Sequence, residues 1–98
     1  MDMKAIVLHP EDNVATALAD IDAGEVVTAS EHRVTAAERI PFGHKIALRR
    51  IAPGGQVTKY GEPIGLAAAD IAQGAMVHVH NLESQRGRGD LDDARGRA

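Results

Sequence analysis

An isoleucine, a glycine three positions later and a valine three beyond that recur at Ile21, Gly24 and Val27, at Ile51, Gly54 and Val57, and at Ile71, Gly74 and Val77. Each copy reads as a core anchor, a tight turn whose glycine takes positive φ, and a β-branched residue opening a strand. The copies lie 30 and then 20 residues apart. That inequality excludes a solenoid, which needs one period, and leaves a single domain that uses the same turn three times.

Alternation and β-branched content predict short strands over Lys4–Leu8, Val14–Ala17, Glu25–Ala29, Lys45–Leu48, Val57–Tyr60 and Met76–His80. Helical periodicity is not sustained anywhere. The stretch Gly65–Gln73, with Ala67, Ala68 and Ala69, has helix propensity but is too short to stand without packing. Pro41, Pro53 and Pro63 each sit beside a glycine-bearing turn. The expectation is a mainly β domain over residues 1–82, followed by a disordered tail over 83–98 that is too polar and glycine-rich to offset the entropy of ordering. Arg88-Gly89-Asp90 in that tail spells an adhesion tripeptide, read here as coincidence.

A chain of 98 residues with one Phe, one Tyr and no Trp has room for one modest aliphatic core. A complete active site enclosed by this chain alone is not expected. The absence of cysteine excludes disulfides, thiolate nucleophiles and Cys-ligated metal centres. The apolar run Ala5–Leu8 is too short for a signal peptide, and no segment approaches a membrane span. A soluble, cytoplasmic protein with no membrane partner is the expectation. With a formal charge of −3, scattered bases and only Phe42 and Tyr60 to stack on, nucleic acid is not an expected partner.

Two clusters carry candidate chemistry. His78 and His80 flank Val79, and on a strand both would project from one face, able to clasp one divalent metal if a third ligand joins them. A solvated pair of histidines is the alternative. At Pro41-Phe42-Gly43-His44-Lys45 a turn delivers His44 and Lys45 to a strand mouth, where side chains reach ligands while the strand fixes them. A half-buried structural His44 on the face of Ile46 and Leu48 is the competing reading. Lys45, Arg49, Arg50 and Lys59 suit either a carboxylate or solvent. His9 and His32 read as surface residues, and Asp12-Asn13 as turn chemistry.

Taken together, Asp12-Asn13-Val14-Ala15, Gly43 to Leu48, Lys59-Tyr60-Gly61-Glu62-Pro63-Ile64-Gly65 and Val77 to Asn81 resemble the SAF domain of the altronate/galactarate dehydratase family, over about residues 5–82. The resemblance implies a β-clip fold and membership of a metal-dependent lyase that uses iron or manganese. Such a lyase removes water, or sulfite as in sulfolactate sulfo-lyase, from acidic sugar-like hydroxy acids. It also implies a small-subunit form whose large catalytic subunit is a separate chain, with the isolated small chain inactive and homo-oligomers allowed.

Carried over by motif, the site holds His44, Lys45, His78, His80 and Asn81. His44, His78 and His80 would ligate or orient the metal, Lys45 and Asn81 would hold the substrate, and His44 and Lys45 are the catalytic candidates. The base for the α-proton is open between this chain and its partner. A stand-alone ligand-binding SAF module is the alternative function.

Overall fold

A computed structural model describes residues 4–84. The described chain is all strand: β1 (Ala5–Ile6), β2 (Val14–Ala17), β3 (Val26–Ala29), β4 (His32–Thr35), β5 (Lys45–Ala47), β6 (Gln56–Lys59), β7 (Glu62–Ala67), β8 (Met76–Val77) and β9 (Leu82–Ser84). The mainly β, single-domain architecture expected from the sequence is the one the chain adopts. A four-stranded antiparallel sheet runs β1-β2-β5-β8, flanked by the hairpin β3-β4 and the three-stranded sheet β6-β7-β9.

The turn motif proves to be used four times. The fourth copy is Ile40, Gly43 and Ile46, which the valine-ending pattern overlooks. Each turn glycine has φ near +85°: 87° at Gly24, Gly43 and Gly74, and 83° at Gly54. The residue after each glycine donates its N–H back three positions, as in Glu25 to Asp22 and His44 to Pro41. This is a type II turn, which demands positive φ at its third residue.

The four anchors pair off. Ile21 and Ile40 exchange backbone hydrogen bonds of 2.9 Å in both directions, and Ile51 and Ile71 do the same at 2.8 and 2.9 Å. The chain is thus an internal duplication in which residues 21–46 match residues 51–77. Each half carries its own core. Ile21, Val27, Ile40 and Ile46 belong to one buried cluster, and Ile51, Val57, Ile71 and Val77 to the other. Central strand β5 separates them, because alternate residues face opposite ways: Ile46 and Leu48 enter the first cluster and Ala47 the second.

Asp12 and Asn13, read from the sequence as turn residues, are the buried polar residues among those described. Asn13 Nδ2 donates to the Gln56 carbonyl at 2.8 Å, and its Oδ1 accepts the Thr58 N–H at 2.8 Å. Asp12 Oδ1 accepts the Gly61 N–H at 2.7 Å, while its Oδ2 is buried without a partner among the described residues. The pair therefore pins the β6-β7 hairpin to the start of β2.

Several strand expectations are corrected. Strands β4, β7 and β9 lie outside the segments that alternation marks; each is the return strand of a pairing whose first member is marked or paired in turn. The helix-prone stretch starts inside β7 and forms no helix, since pairing of Gly65, Leu66 and Ala67 with β9 overrides the propensity of its alanines. The strand expected over Met76–His80 stops at Val77, because Asn81 Oδ1 accepts the His78 N–H at 2.9 Å and folds residues 78–81 into a turn. Strand β9 runs through Ser84, two residues past the boundary drawn at 82. The expected tail from residue 85, including Arg88-Gly89-Asp90, lies outside the described residues.

The packing around the turn glycines and Asn13 sets two stability predictions. At Gly24 nothing lies within 4 Å of an added Cβ, whereas at Gly74 it would meet the Thr35 carbonyl oxygen and, at 3.0 Å, the Ala37 nitrogen. Urea denaturation should therefore show Gly24→Ala losing about 1–2 kcal/mol from backbone strain alone, and Gly74→Ala losing clearly more. Asn13→Ala should cost about 2–4 kcal/mol, because it strands a buried N–H and a buried carbonyl. A loss under half a kilocalorie, on the order of a surface substitution, would show that water replaces the amide.

Candidate functional site

The register of the central sheet builds the site. In β5, Lys45 lies opposite Thr16 of β2 on one side and Val77 of β8 on the other. Directly opposed residues in an antiparallel sheet share a face, so Thr16, Lys45 and Val77 form one row. One step outward along the same register, His44 ends the Pro41–His44 turn and His78 begins the turn after β8. Their rings meet, with centroids 4.4 Å apart and planes tilted by 56°.

His44 Nδ1 lies 3.4 Å from the Phe42 carbonyl. A carbonyl only accepts, so this long contact favours the tautomer protonated at Nδ1 and leaves the Nε2 lone pair for a ligand or a proton. Partial burial pushes the His78 pKa down, and the like charges of His44, Lys45 and His80 push it further. His78 is accordingly neutral at pH 7. Lys45 also titrates below an ordinary lysine, chiefly through burial and secondarily through Lys59. Among the described residues neither Lys45 nor Lys59 has a carboxylate partner; the ion pairs formed are Lys4 with Glu25, Arg39 with Asp20 and Arg50 with Asp70.

Of the residues marked in the sequence, the fold brings His44, Lys45 and His78 together. His80 is exposed in the turn, because the strand that would have aligned it with His78 ends too early. It reaches the site only as a neighbouring charge. Asn81 spends its side chain locally: Oδ1 takes the His78 N–H, and Nδ2 donates to the Met76 carbonyl at 2.9 Å. Its observed work is to hold the turn that presents His78.

Thr16 and Tyr60 carry no site signal in the sequence, and Lys59 is one of four bases that suit ligand or solvent equally. Tyr60 donates its hydroxyl to Thr16 Oγ1 at 3.3 Å, and Lys59 Nζ stands 5.0 Å from the Tyr60 ring centre. Only the pairing of β2 with β5 reveals Thr16 as a neighbour of Lys45.

For the metal that the resemblance implies, this chain offers half a ligand set. His44 and His78 supply two imidazoles side by side, but no group of three His, Cys, Asp or Glu side chains is placed to hold an ion among the described residues. The site is an open face rather than a cavity: Phe42 and Val79, 66% and 81% exposed, stand at the tips of its two turns. A groove of about 360 Å³ lies elsewhere, lined by Val7, Leu8, His9, Pro10, Ser30, Glu31 and His32, and shares no residue with this face.

The sequence profile of the altronate/galactarate dehydratase SAF domain matches residues 3–85. The chain belongs to this family. It is 47% identical over 93 residues to altronate dehydratase of Escherichia coli (strain K12), covering 95% of this chain and 18% of that protein. Against the alpha subunit of (2R)-sulfolactate sulfo-lyase from Chromohalobacter salexigens it is 33% identical, covering 88% of this chain and 99% of the subunit. The corresponding subunit of Paracoccus pantotrophus is 44% identical over 63 residues, 62% of this chain and 94% of the subunit. The chain thus spans less than a fifth of the altronate dehydratases it matches, 18% and 17% of their lengths, and nearly the whole of a lyase alpha subunit. Among the described residues, no helix is long and apolar enough to cross a membrane.

The ring pair makes a pH prediction. Because the folded chain holds His78 below its ordinary value of about 6.5, the unfolded state binds more protons as pH falls through that value, and stability falls with it. His44→Ala removes a like charge and admits water, so the His78 titration midpoint, read from ring-proton NMR, should move upward. An unmoved midpoint would mean that the two imidazoles do not sense each other in solution.

Proposed function

We propose that this chain is the small SAF subunit of a two-subunit lyase, and that its His44–Lys45–His78 face supplies half of an active site that the large subunit completes. The observation that carries the reading is the ring pair set beside a half-buried lysine with no carboxylate partner among the described residues. The sulfo-lyase alpha subunits, matched over 94% and 99% of their lengths, support the two-chain arrangement.

The reaction class follows from the chemistry of the face. Eliminating water or sulfite from a hydroxy acid requires removal of a proton α to a carboxylate, and the negative charge that gathers on that carboxylate must be stabilised. Lys45 is placed to bind the carboxylate: charge pairing with it regains what burial costs the ammonium. His78, neutral at pH 7, is available to accept a proton or to donate its lone pair.

A divalent metal, iron or manganese, would act as a Lewis acid toward the carboxylate and the departing group. His44 and His78 would hold it, with His80 as a further candidate and the remaining ligands on the large subunit. His44 and Lys45 are the catalytic candidates of this chain, and Asn81 contributes by setting His78. The large subunit would also exclude water from a face that the small chain leaves open.

The test is a graft. Residues 1–84 replace the matching segment of Escherichia coli altronate dehydratase, and altronate dehydration is measured. The chimaera should turn over, and Lys45→Met or His78→Ala should lower its rate by about 10²- to 10⁴-fold. The same variants should lower sulfite release when the chain replaces a sulfo-lyase alpha subunit. Circular dichroism confirms folding of each variant. Folded chimaeras that turn over equally well with and without these side chains would overturn the reading and leave a ligand-binding module.

A further inference from the structure

The duplication separates scaffold from decoration. From the anchors Ile21 and Ile51 the same count of residues reaches Ser30 and Tyr60, whose φ angles are 55° and 56°. The first hairpin tip is thus Ala29-Ser30, and its equivalent in the second half is Lys59-Tyr60. Backbone geometry is common to both tips, so it does not account for a lysine and a tyrosine at one of them.

Tyrosine is an unfavourable choice for this position. With Tyr60 at +56° and Gly61 at +78°, the two-residue loop needs positive φ twice, a demand that Asn-Gly or Gly-Gly meets with less strain. Strain retained at a non-glycine residue points to a task for its side chain. The loop is also pinned by both buried polar residues, through Gly61 to Asp12 and through Thr58 to Asn13. The phenol is held by Thr16, which lies in the sheet row of Lys45. Lys59 is close enough to Lys45 to depress its protonation, and neither lysine has an anionic partner among the described residues.

We infer that Thr16, Lys45, Lys59 and Tyr60 form a preorganised oxyanion subsite that takes the second anionic group of a doubly charged hydroxy acid. Two adjacent ammonium groups favour a dianion over a monoanion, and the Tyr60 and Thr16 hydroxyls add directional donors. Resting on the lyase reading, this narrows the substrate to acids that carry a carboxylate or sulfonate besides the one beside the reacting carbon.

The experiment uses the full chain alone and follows its amide resonances in titrations with tartrate and lactate at pH 7 and fixed ionic strength. Tartrate should shift Thr16, Lys45, Lys59 and Tyr60 and bind about three- to fivefold more tightly than lactate. Lys59→Met should abolish that preference, Tyr60→Phe should weaken it, and Arg33→Gln, on the other hairpin, should leave it intact. Equal binding of the two acids, or a tartrate response that survives Lys59→Met, would overturn the subsite. The graft assay does not share this readout. An active chimaera without dianion preference defeats the subsite alone, whereas a dianion preference in the chain with an indifferent chimaera defeats the lyase reading alone.

Discussion

Backbone hydrogen bonds exchanged between Ile21 and Ile40, and again between Ile51 and Ile71, close the two halves of this chain on themselves. All four side chains are at most 4% exposed, so each bridge aligns a pair of type II turns and anchors a core in the same step. The turns in turn aim the strands. Gly43 and Gly74 launch β5 and β8 from equivalent places, and their neighbouring register brings His44 against His78. Weakening a bridge would therefore disturb the site without touching any residue in it.

The sequence made the turns legible because their chemistry is local: a glycine at a fixed offset from an apolar anchor is visible without knowing what the anchor meets. The fourth copy escapes the pattern because Ile46 stands where the others have valine, although either β-branched residue fills the role. Return strands are harder to see. In β7, Pro63 lies opposite Thr58 beside a register shift, and Gly65 faces β9 so closely that a Cβ would strike the Glu83 carbonyl oxygen. Both residues look like strand breakers until their partners are known. The site divides in the same way. His44 and Lys45 are visible as residues delivered by a turn to a strand, but pairing His78 with His80 depends on an alternation that the Asn81 turn interrupts. Thr16 has no local signal, since its relevance depends on cross-strand register.

A duplicated scaffold with unequal decoration gives the molecule a front. Where the first half has His44 and Lys45, the second has Ala75 and Met76; where the second has Lys59 and Tyr60, the first has Ala29 and Ser30. Each half thus contributes polar side chains at one of its two equivalent places, and these contributions gather around β5. Asp12 and Asn13 belong to neither repeat, yet they tie the second hairpin to the central sheet. Their burial is the structural cost of holding an irregular loop in place, met by three hydrogen bonds to backbone groups.

The shortness of the outer strands has a consequence for how this protein meets other molecules. Both ends of the central sheet are two-residue strands, β1 and β8. An edge that short is a poor template for strand addition, so a chain rich in valine and isoleucine is discouraged from zippering onto copies of itself. At β8 the Asn81 turn cuts the edge off just as the histidines begin. Recognition at that margin must run through side chains rather than through a borrowed strand, which makes it selective for the chemistry of the incoming surface.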